Sequence, residues 1–325
     1  MEEQTRCVAL GNLGVIAARG PDARRFLQGQ VSQDVLALPL TRVAIAGCHN
    51  PQGRTTALLR LVPLDAESVA LVLPRERIPD LLASLRRFVL RARVRLVDET
   101  AEWILDGLWP AGAAAALASR GLPMPAAEVG ALSVGRSGWA WRHAPDGRIV
   151  MLTPAAALPG CIDTAPDPAL RHWHLAEIAA GWPQVYAATA AAFVAQMLNL
   201  DAIDGISFTK GCYTGQEVIA RAHYRGRVKR RMQRFVTRAA PAATEAAALL
   251  VPGSQWLLQD GRSLRVVDAE LRDDGRVELL GVTAVAATGD DQDPDATAAQ
   301  GSDAVPVAAR LSLEPLPLPY ELPAP

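Results

Sequence analysis

The chain has 325 residues, of which half are hydrophobic, and its net charge is −1. This length and composition exclude a disordered protein and predict two or three folded domains. The near-neutral charge excludes a global field for polyanions, so any nucleic-acid contact must be local. No apolar run approaches the roughly 20 residues that cross a bilayer, and the acidic N-terminus lacks a signal-peptide pattern. We therefore expect a cytoplasmic protein.

Strands and helices alternate in the first two thirds of the predicted structure. A strand over 8–18 precedes a helix that begins at Gly20-Pro21-Asp22, because proline suits the first helical turn. Hydrophobic patterning predicts further strands at 42–48, 55–62, 69–73, 91–97, 103–109, 138–141 and 148–152. It predicts further helices at 75–88, 113–119, 170–180 and 187–198.

The C-terminal third has a different pattern. The alanine-rich stretch 239–248 is interpreted as a linker, and strands are predicted at 255–258, 262–268, 276–285 and 305–313. Turn signals such as Asp260-Gly261 separate these strands, which is typical of a small antiparallel barrel. We expect a long loop over 289–303 within it.

Four dispersed cysteines occupy positions 7, 48, 161 and 212. They form no Cys-x-x-Cys pair and show no spacing for zinc or an iron–sulfur cluster. We interpret them as free thiols and predict no metal site within one chain. An iron–sulfur cluster bridged between two chains through Cys212 is a possibility that the sequence leaves open.

The octapeptide Lys210-Gly-Cys-Tyr-Thr-Gly-Gln-Glu217 is the most informative segment. Its glycines predict an unusual turn that presents Cys212 as a nucleophile or ligand, and Lys210 would favour the thiolate. Of the 33 basic residues only Lys210 and Lys229 are lysines, which favours a need for a compact ammonium there, with chance as the alternative. The alternative is that Cys212 is a small buried residue in a tight turn.

Two further features allow more than one interpretation. The basic run 221–234 suits phosphates or a polyglutamate tail, but it also fits a strand with a solvated outer face. Trp173 and Trp182 suit stacking on a planar ligand, but they also fit core packing.

These residues resemble the YgfZ family of folate-binding proteins, which are relatives of the glycine cleavage T-protein. The resemblance spans nearly the whole chain and rests on the octapeptide with Ala220-Arg221 after it. Weaker pieces follow the family's order, namely Gly20-Pro21-Asp22-Ala23, Phe26-Leu27-Gln28-Gly29-Gln30, Cys48 with Gly53-Arg54, Gly181-Trp182-Pro183, Gly226, Lys229-Arg230 and Glu314-Pro315-Leu316-Pro317.

The resemblance implies an α+β fold. An interleaved two-layer α/β body with a central tetrahydrofolate pocket would occupy 1–238, with a middle subdomain at roughly 40–110. A C-terminal antiparallel β-barrel would occupy 239–325.

The resemblance also implies a function. Members are linked to assembly or repair of iron–sulfur enzymes, including a methylthiotransferase that modifies tRNA. Cys212 would be the functional thiol, with Lys210 and Glu217 as its catalytic neighbours. Folate would contact Trp173, Tyr213, Gln216 and Arg221, and also Leu13, which stands where the family has a second tryptophan.

The sequence is also compatible with two other functions. A one-carbon, aminomethyl-type transferase would use Glu217 or Asp34 as general base. A tRNA-binding module would work through the basic run, and its affinity would fall steeply with salt.

Overall fold

The computed structural model describes residues 7–156, 168–226, 228–285 and 310–323. The helices are α1 (Ala23–Gln28), α2 (Ile78–Arg86), α3 (Pro110–Ser119), α4 (Pro168–Ala179), α5 (Gln216–Tyr224) and α6 (Ala243–Leu249). The strands are β1 (Cys7–Ala9), β2 (Leu13–Arg19), β3 (Ala44–His49), β4 (Thr55–Pro63), β5 (Ser68–Pro74), β6 (Arg95–Asp98), β7 (Trp103–Leu108), β8 (Leu132–Gly135), β9 (Gly138–Arg142), β10 (Ile149–Pro154), β11 (Arg230–Thr237), β12 (Gln255–Leu258), β13 (Ser263–Leu271), β14 (Val277–Ala284), β15 (Arg310–Leu311) and β16 (Leu313–Leu316).

These strands form three sheets. The first sheet has the order β3-β4-β5-β2-β6, and the second has the order β1-β7-β10-β9-β8. The C-terminal sheet has the order β15-β12-β13-β14-β11-β16 and is antiparallel except where β12 meets β15. The predicted α+β class, with antiparallel sheets and a C-terminal half-barrel, is confirmed.

The first sheet is buried on both faces. Ile16 and Ala18 of β2 pack with helices α1 and α2, while Val15 packs toward the second sheet. All seven residues of the neighbouring strand β5 are buried. Such strands are apolar along their whole length, and the two layers therefore share a continuous core.

The chain crosses between the two sheets early. Strand β1 pairs in the second sheet, but β2 pairs in the first sheet after a turn at Gly11-Asn12. The prediction of one strand over 8–18 is therefore wrong. The next crossing follows β6, and together these crossings interleave the layers.

Several predicted elements differ from the structure. The expected helix over 187–198 consists of two short 3₁₀ turns, Ala187–Thr189 and Ala195–Leu198, because Ala191 and Asn199 have positive φ angles of 58° and 56°. The predicted linker contains α6, since alanine favours helix. The strand expected over 91–97 is regular only in β6.

The predicted domain division at 238 stays a prediction. Strand β11 lies before that position and already pairs with β14 and β16 of the C-terminal sheet. The predicted loop 289–303 and the residues up to 309 of the last predicted strand lie outside the described residues.

The thiols differ in state. Cys48 and Cys212 are free, whereas Cys7 is disulfide-bonded, so the expectation of free thiols is wrong for Cys7. Cys161 lies outside the described ranges. Within those ranges, no cluster of three or more His, Cys, Asp or Glu residues is arranged to hold a metal ion. None of the described helices has the length and apolar character to span a bilayer.

Candidate functional site

The octapeptide forms the turn that leads into α5, and its second glycine is required. Gly215 has a φ of 81°, and a Cβ atom there would lie 2.6 Å from the Asn50 carbonyl oxygen. It would also lie 3.1 Å from the Cα atom of Gly53, which itself has a positive φ of 71°. The turn at 49–54 and the octapeptide therefore pack too closely to leave room for a side chain at position 215.

Lys210 fixes the other end of the octapeptide. Its Nζ atom donates to the carbonyl oxygens of Gln28, Val31 and Gln33 at 2.6, 2.7 and 2.9 Å. An ammonium group has three protons, so all of them are used. Burial lowers the pKa of Lys210 to about 8, and the charged form still predominates at pH 7. Lys210 thus ties the octapeptide to the segment 28–33, and its predicted effect on the Cys212 thiolate stays a prediction.

Tyr213 anchors the middle of the turn. Its side chain is buried, with the ring centroid 5.0 Å from Lys210 Nζ and 6.2 Å from the ring of His49. Burial raises the pKa of the Tyr213 hydroxyl to about 12. Tyr213 is therefore neutral at physiological pH and acts as a packing contact between the octapeptide and β3.

Cys212 lies on the outer side of this anchored turn. It is the exposed one of the two free thiols in the described residues. A Cβ atom built on the adjacent Gly211 would meet no atom within 4 Å, so the turn borders open space. Cys48 is buried, and burial raises the pKa of its thiol to about 12. Cys212 is thus accessible and is not a buried structural cysteine.

The polar residues after the turn differ in exposure. Gln216, the first residue of α5, is half-buried, and Glu217 follows it with a side chain that is 86% exposed. One carboxylate oxygen of Glu217 accepts a hydrogen bond from Arg221 at 3.0 Å, one helical turn later. Such exposed pairs hold their geometry weakly, so these side chains are free to meet a partner.

A second region lies inside the body, between the first two sheets and α4. A narrow cavity of about 30 Å³ there is lined by Leu13, Arg60, His143, Trp173 and Glu177, among others. This volume holds about two water molecules. A neighbouring cavity of about 20 Å³ shares Arg60 and His143 and is also lined by Trp141 and Trp182.

Buried charges surround the larger cavity. Arg148 is fully buried and donates to a Glu177 carboxylate oxygen at 2.5 Å, and His143 Nε2 lies 2.9 Å from the other oxygen. Burial alone would raise the pKa of Glu177, but His143 and Arg148 hold it well below its usual range. Burial lowers the pKa of His143 against the opposing pull of Glu177. Near pH 7 we therefore expect ionised Glu177 to accept a hydrogen bond from neutral His143.

Trp173 packs tightly within this network. A Cβ atom on Gly107 would lie 2.7 Å from the Trp173 ring, so only glycine fits beneath it. The Arg148 guanidinium carbon lies 4.6 Å from the ring centroid, and the ring of His143 lies 5.7 Å away. The indole is thus fixed by a cation on one side and by backbone on another.

Several polar atoms at the cavities lack a protein partner. His143 Nδ1, Trp141 Nε1 and Trp182 Nε1 are buried and make no hydrogen bond within the described residues. Arg60 lies over the Trp182 ring at 4.6 Å, and burial lowers its pKa to about 10. Buried polar groups are nearly always hydrogen-bonded, so these atoms are available to water or to a polar ligand.

The predicted site residues fall into two groups. Leu13 and Trp173 line the larger cavity, whereas Cys212, Lys210, Tyr213, Gln216, Glu217 and Arg221 belong to the octapeptide and α5 and line neither cavity. Four further residues of this region, namely Arg60, His143, Arg148 and Glu177, were not predicted from the sequence. One signal was available, since Glu177 follows Trp173 by four residues and shares its helical face.

The basic run 221–234 does not present all its charges to solvent. Arg231 is buried and forms a two-pronged ion pair with Asp201, each contact at 2.9 Å. Arg234 pairs with Glu278 at 2.7 Å within the C-terminal sheet. These two arginines stabilise the fold, and a phosphate-binding surface cannot draw on them.

Sequence comparison relates the chain to named proteins, and structural comparison relates its fold to a solved structure. No protein-family model matches the chain. It is 31% identical over 316 residues to the tRNA-modifying protein YgfZ of Serratia proteamaculans, which covers 95% of this chain and 91% of that protein. It is 30% identical over 244 residues to the protein of the same name from Yersinia pestis, covering 73% of each. Among solved structures, the aminomethyltransferase T of the glycine cleavage system from Bartonella henselae has a similar fold, with a TM-score of 0.63 and 14% identity over 86% of this chain and 78% of that one.

Proposed function

The chain belongs to the YgfZ family of tRNA-modifying proteins, and from this we propose that it binds tetrahydrofolate and supports iron–sulfur enzymes that modify tRNA. The observation that carries the proposal is the exposed thiol of Cys212 on a turn that Lys210 anchors with three hydrogen bonds. A fixed and accessible thiol suits transfer or transient ligation at a partner's surface.

The internal cavity is the proposed folate site, and its residues fit a pterin. The ring of a pterin is planar and carries N–H donors and nitrogen acceptors. His143 Nδ1 offers an acceptor without a partner, Trp141 Nε1 offers a free donor, and Trp173 offers an aromatic wall. Bound tetrahydrofolate would supply nitrogen atoms that carry one-carbon units.

Binding requires the cavity to widen, because its volume of about 30 Å³ is far smaller than a pterin ring. Arg60 is the side chain best suited to move, since it lines both cavities and its contact with Trp182 is a ring contact without a hydrogen bond. Displacement of Arg60 would join the two cavities into one. Its guanidinium would then remain near the ligand as a cation for a glutamate carboxylate.

The first test concerns the cofactor. We expect the change His143→Ala to weaken tetrahydrofolate binding about tenfold, measured by calorimetry, because it removes a buried acceptor. His172 provides the control, since its side chain is 45% exposed and contacts Asp273. Equal affinity of His143→Ala and His172→Ala would refute the cavity as the folate site.

The second test concerns the thiol. In cells that lack this chain, we expect Cys212→Ala to fold and to bind tetrahydrofolate but to leave tRNA methylthiolation unrestored. Cys48→Ala is the matched control and should restore modification. Full restoration by Cys212→Ala would end the proposal for the thiol while leaving folate binding untouched.

The alternative transferase has a separate signature. Purified protein with tetrahydrofolate and candidate methylamines would form methylene-tetrahydrofolate if it transferred aminomethyl carbon. Nothing in the site favours this reaction over the accessory role, because Glu217, one proposed base, is solvent-exposed and paired with Arg221.

A further inference from the structure

A dense basic surface lies on the first sheet, away from the octapeptide in sequence. Five arginines occur between positions 86 and 95, and no acidic residue occurs between Asp80 and Asp98. All five arginine side chains are exposed, namely those of Arg86, Arg87, Arg91, Arg93 and Arg95. A concentration of this kind in a chain of net charge −1 is a local feature and no consequence of overall charge.

The arginines after α2 form an array on one side of the chain. Arg91, Arg93 and Arg95 are exposed, while the intervening Ala92 and Val94 pack against the core of the first sheet. This alternation places the three arginine side chains on the solvent side of the segment.

Two exposed apolar side chains begin this array. Phe88 is 52% exposed and Leu90 is 86% exposed. The arginines alone have a structural explanation, since β6 is the edge strand of its sheet and charges on an edge discourage pairing with other chains. That explanation does not account for Phe88 and Leu90, because apolar groups beside an edge favour association.

The charges of this surface are only partly neutralised. Arg93 pairs with Asp22 at 3.3 Å. Within the described residues, Arg87 and Arg91 make no ion pair with an acidic side chain. Arginine forms two parallel hydrogen bonds to a phosphate, and its planar group also stacks on bases. A linear polyanion would meet several such groups in succession.

We propose that the surface formed by residues 86–95 binds a single-stranded segment of RNA, with phosphates on the arginine array and a base stacked on Phe88. Unpaired bases that stack on aromatic side chains, next to arginines that hold the backbone, are the usual mode of recognition for RNA loops. This goes beyond the proposed function, which places a folate and a thiol but requires no RNA contact by this chain.

An anionic membrane is the less fitting partner. Binding in the membrane interface requires an amphipathic helix with a broad apolar face. Here α2 ends at Arg86, and Phe88, Leu90 and the array lie in the non-helical segment that follows. Two apolar side chains on such a segment offer little area to bury among lipids.

The test compares three forms of the full chain. The triple change Arg87→Gln, Arg91→Gln and Arg95→Gln, called the array variant, removes three charges from the surface formed by residues 86–95 but keeps the pair of Arg93 with Asp22. A matched triple change, Arg75→Gln, Arg136→Gln and Arg238→Gln, removes the same charge from exposed positions elsewhere. The probes are a labelled RNA hairpin with an open loop, the fully paired duplex of the same RNA, and vesicles of anionic phospholipid.

We expect wild type and the matched triple variant to bind the hairpin alike and more tightly than the duplex. The array variant should bind about tenfold or more weakly. Its slope of log affinity against log salt should be shallower by about 2, since each phosphate that is no longer neutralised removes roughly 0.7 from the slope. Phe88→Ser should weaken hairpin binding with no change in the salt slope.

Equal weakening in both triple variants would overturn the proposal, because net charge would then explain it. Unchanged hairpin binding by the array variant, or binding to vesicles but not to RNA, would overturn it as well. Unaltered tetrahydrofolate affinity in the array variant would show that the surface, and not the fold or the folate site, had been changed.

Discussion

His174 Nε2 lies 3.0 Å from Asp268 Oδ2, and this contact joins α4 to the C-terminal sheet. The other ring nitrogen of His174 lies 3.1 Å from a Glu270 carboxylate oxygen. Helix α4 also carries Trp173 and Glu177, which line the internal cavity. One helix thus contacts the cavity on one face and the C-terminal sheet on another, so a movement of that sheet bears on the cavity walls.

This contact makes stability depend on pH. Burial alone would lower the pKa of His174, but Asp268 and Glu270 raise it from 6.5 to about 11. The stabilisation is therefore fully present below about pH 6.5 and is lost as the pH rises toward 11. We expect His174→Gln to lower the free energy of unfolding by about 2 kcal/mol at pH 6, measured with urea.

The difference between wild type and His174→Gln should shrink steadily between pH 7 and pH 10, since the unfolded histidine is then neutral and the folded one is held charged at a growing cost. His172→Gln serves as the control, because His172 is more exposed and contacts Asp273. A constant difference across this pH range would contradict the assigned protonation.

The buried carboxylate of Glu177 is expected to be essential for folding. Glu177→Gln leaves Arg148 fully buried with less compensating charge, and breaking such a pair costs about 3–5 kcal/mol. Urea denaturation should show this loss, while Glu102→Gln at an exposed position should change stability by less than about 0.5 kcal/mol. If Glu177→Gln lowered the free energy of unfolding no more than the control does, water would have to solvate Arg148 in place of the carboxylate.

Lys210 is expected to act through position and size as well as charge. Lys210→Met leaves the carbonyl groups of residues 28, 31 and 33 without their donor, at a cost of roughly 3 kcal/mol in the free energy of unfolding. Lys210→Arg should also destabilise, because a planar guanidinium cannot replace a tetrahedral ammonium among three acceptors.

Lys229→Met is the natural control, since Lys229 is exposed and is the other lysine of the chain. Denaturation and the rate of Cys212 alkylation should be measured on the same samples. A Lys210→Arg variant with wild-type stability would show that charge alone matters at this position.

The two free thiols should differ in reactivity. Native protein treated with iodoacetamide should be modified at Cys212 and spared at Cys48, because Cys212 is exposed whereas Cys48 is 5% exposed in β3. Mass spectrometry of peptides would assign the label, and addition of urea should make both sites react. Early labelling of Cys48 in native protein would contradict its burial.

The octapeptide turn was predictable because its signal is local. Its glycines indicate a backbone conformation that other residues rarely adopt. Gly215 indeed has a positive φ, and it packs against the Asn50 carbonyl group. The C-terminal hairpins were predictable for the same reason, since turn residues such as Asp260-Gly261 mark them and β12 has the predicted bounds. Local geometry that is set by residues adjacent in the sequence can therefore be predicted from the sequence.

The buried charge network was not predictable in this way. His143 follows β9, Arg148 precedes β10 and Glu177 lies in α4, and in a sequence each resembles an ordinary surface charge. Only the fold takes them out of water together. The wrong prediction of a helix over 187–198 has a related cause. The apolar residues of this segment pack into a core formed by distant parts of the chain and do not form one face of a helix.

The contact between Lys210 and Val31 joins atoms 179 residues apart in the chain. A ribosome adding about 5–20 residues per second needs roughly 9–36 s to cover that interval. During this delay the carbonyl groups of residues 28, 31 and 33 lack the ammonium group that binds them in the folded protein, and Cys212 has not yet been synthesised. The octapeptide turn can consequently take its shape only after the first sheet has been synthesised.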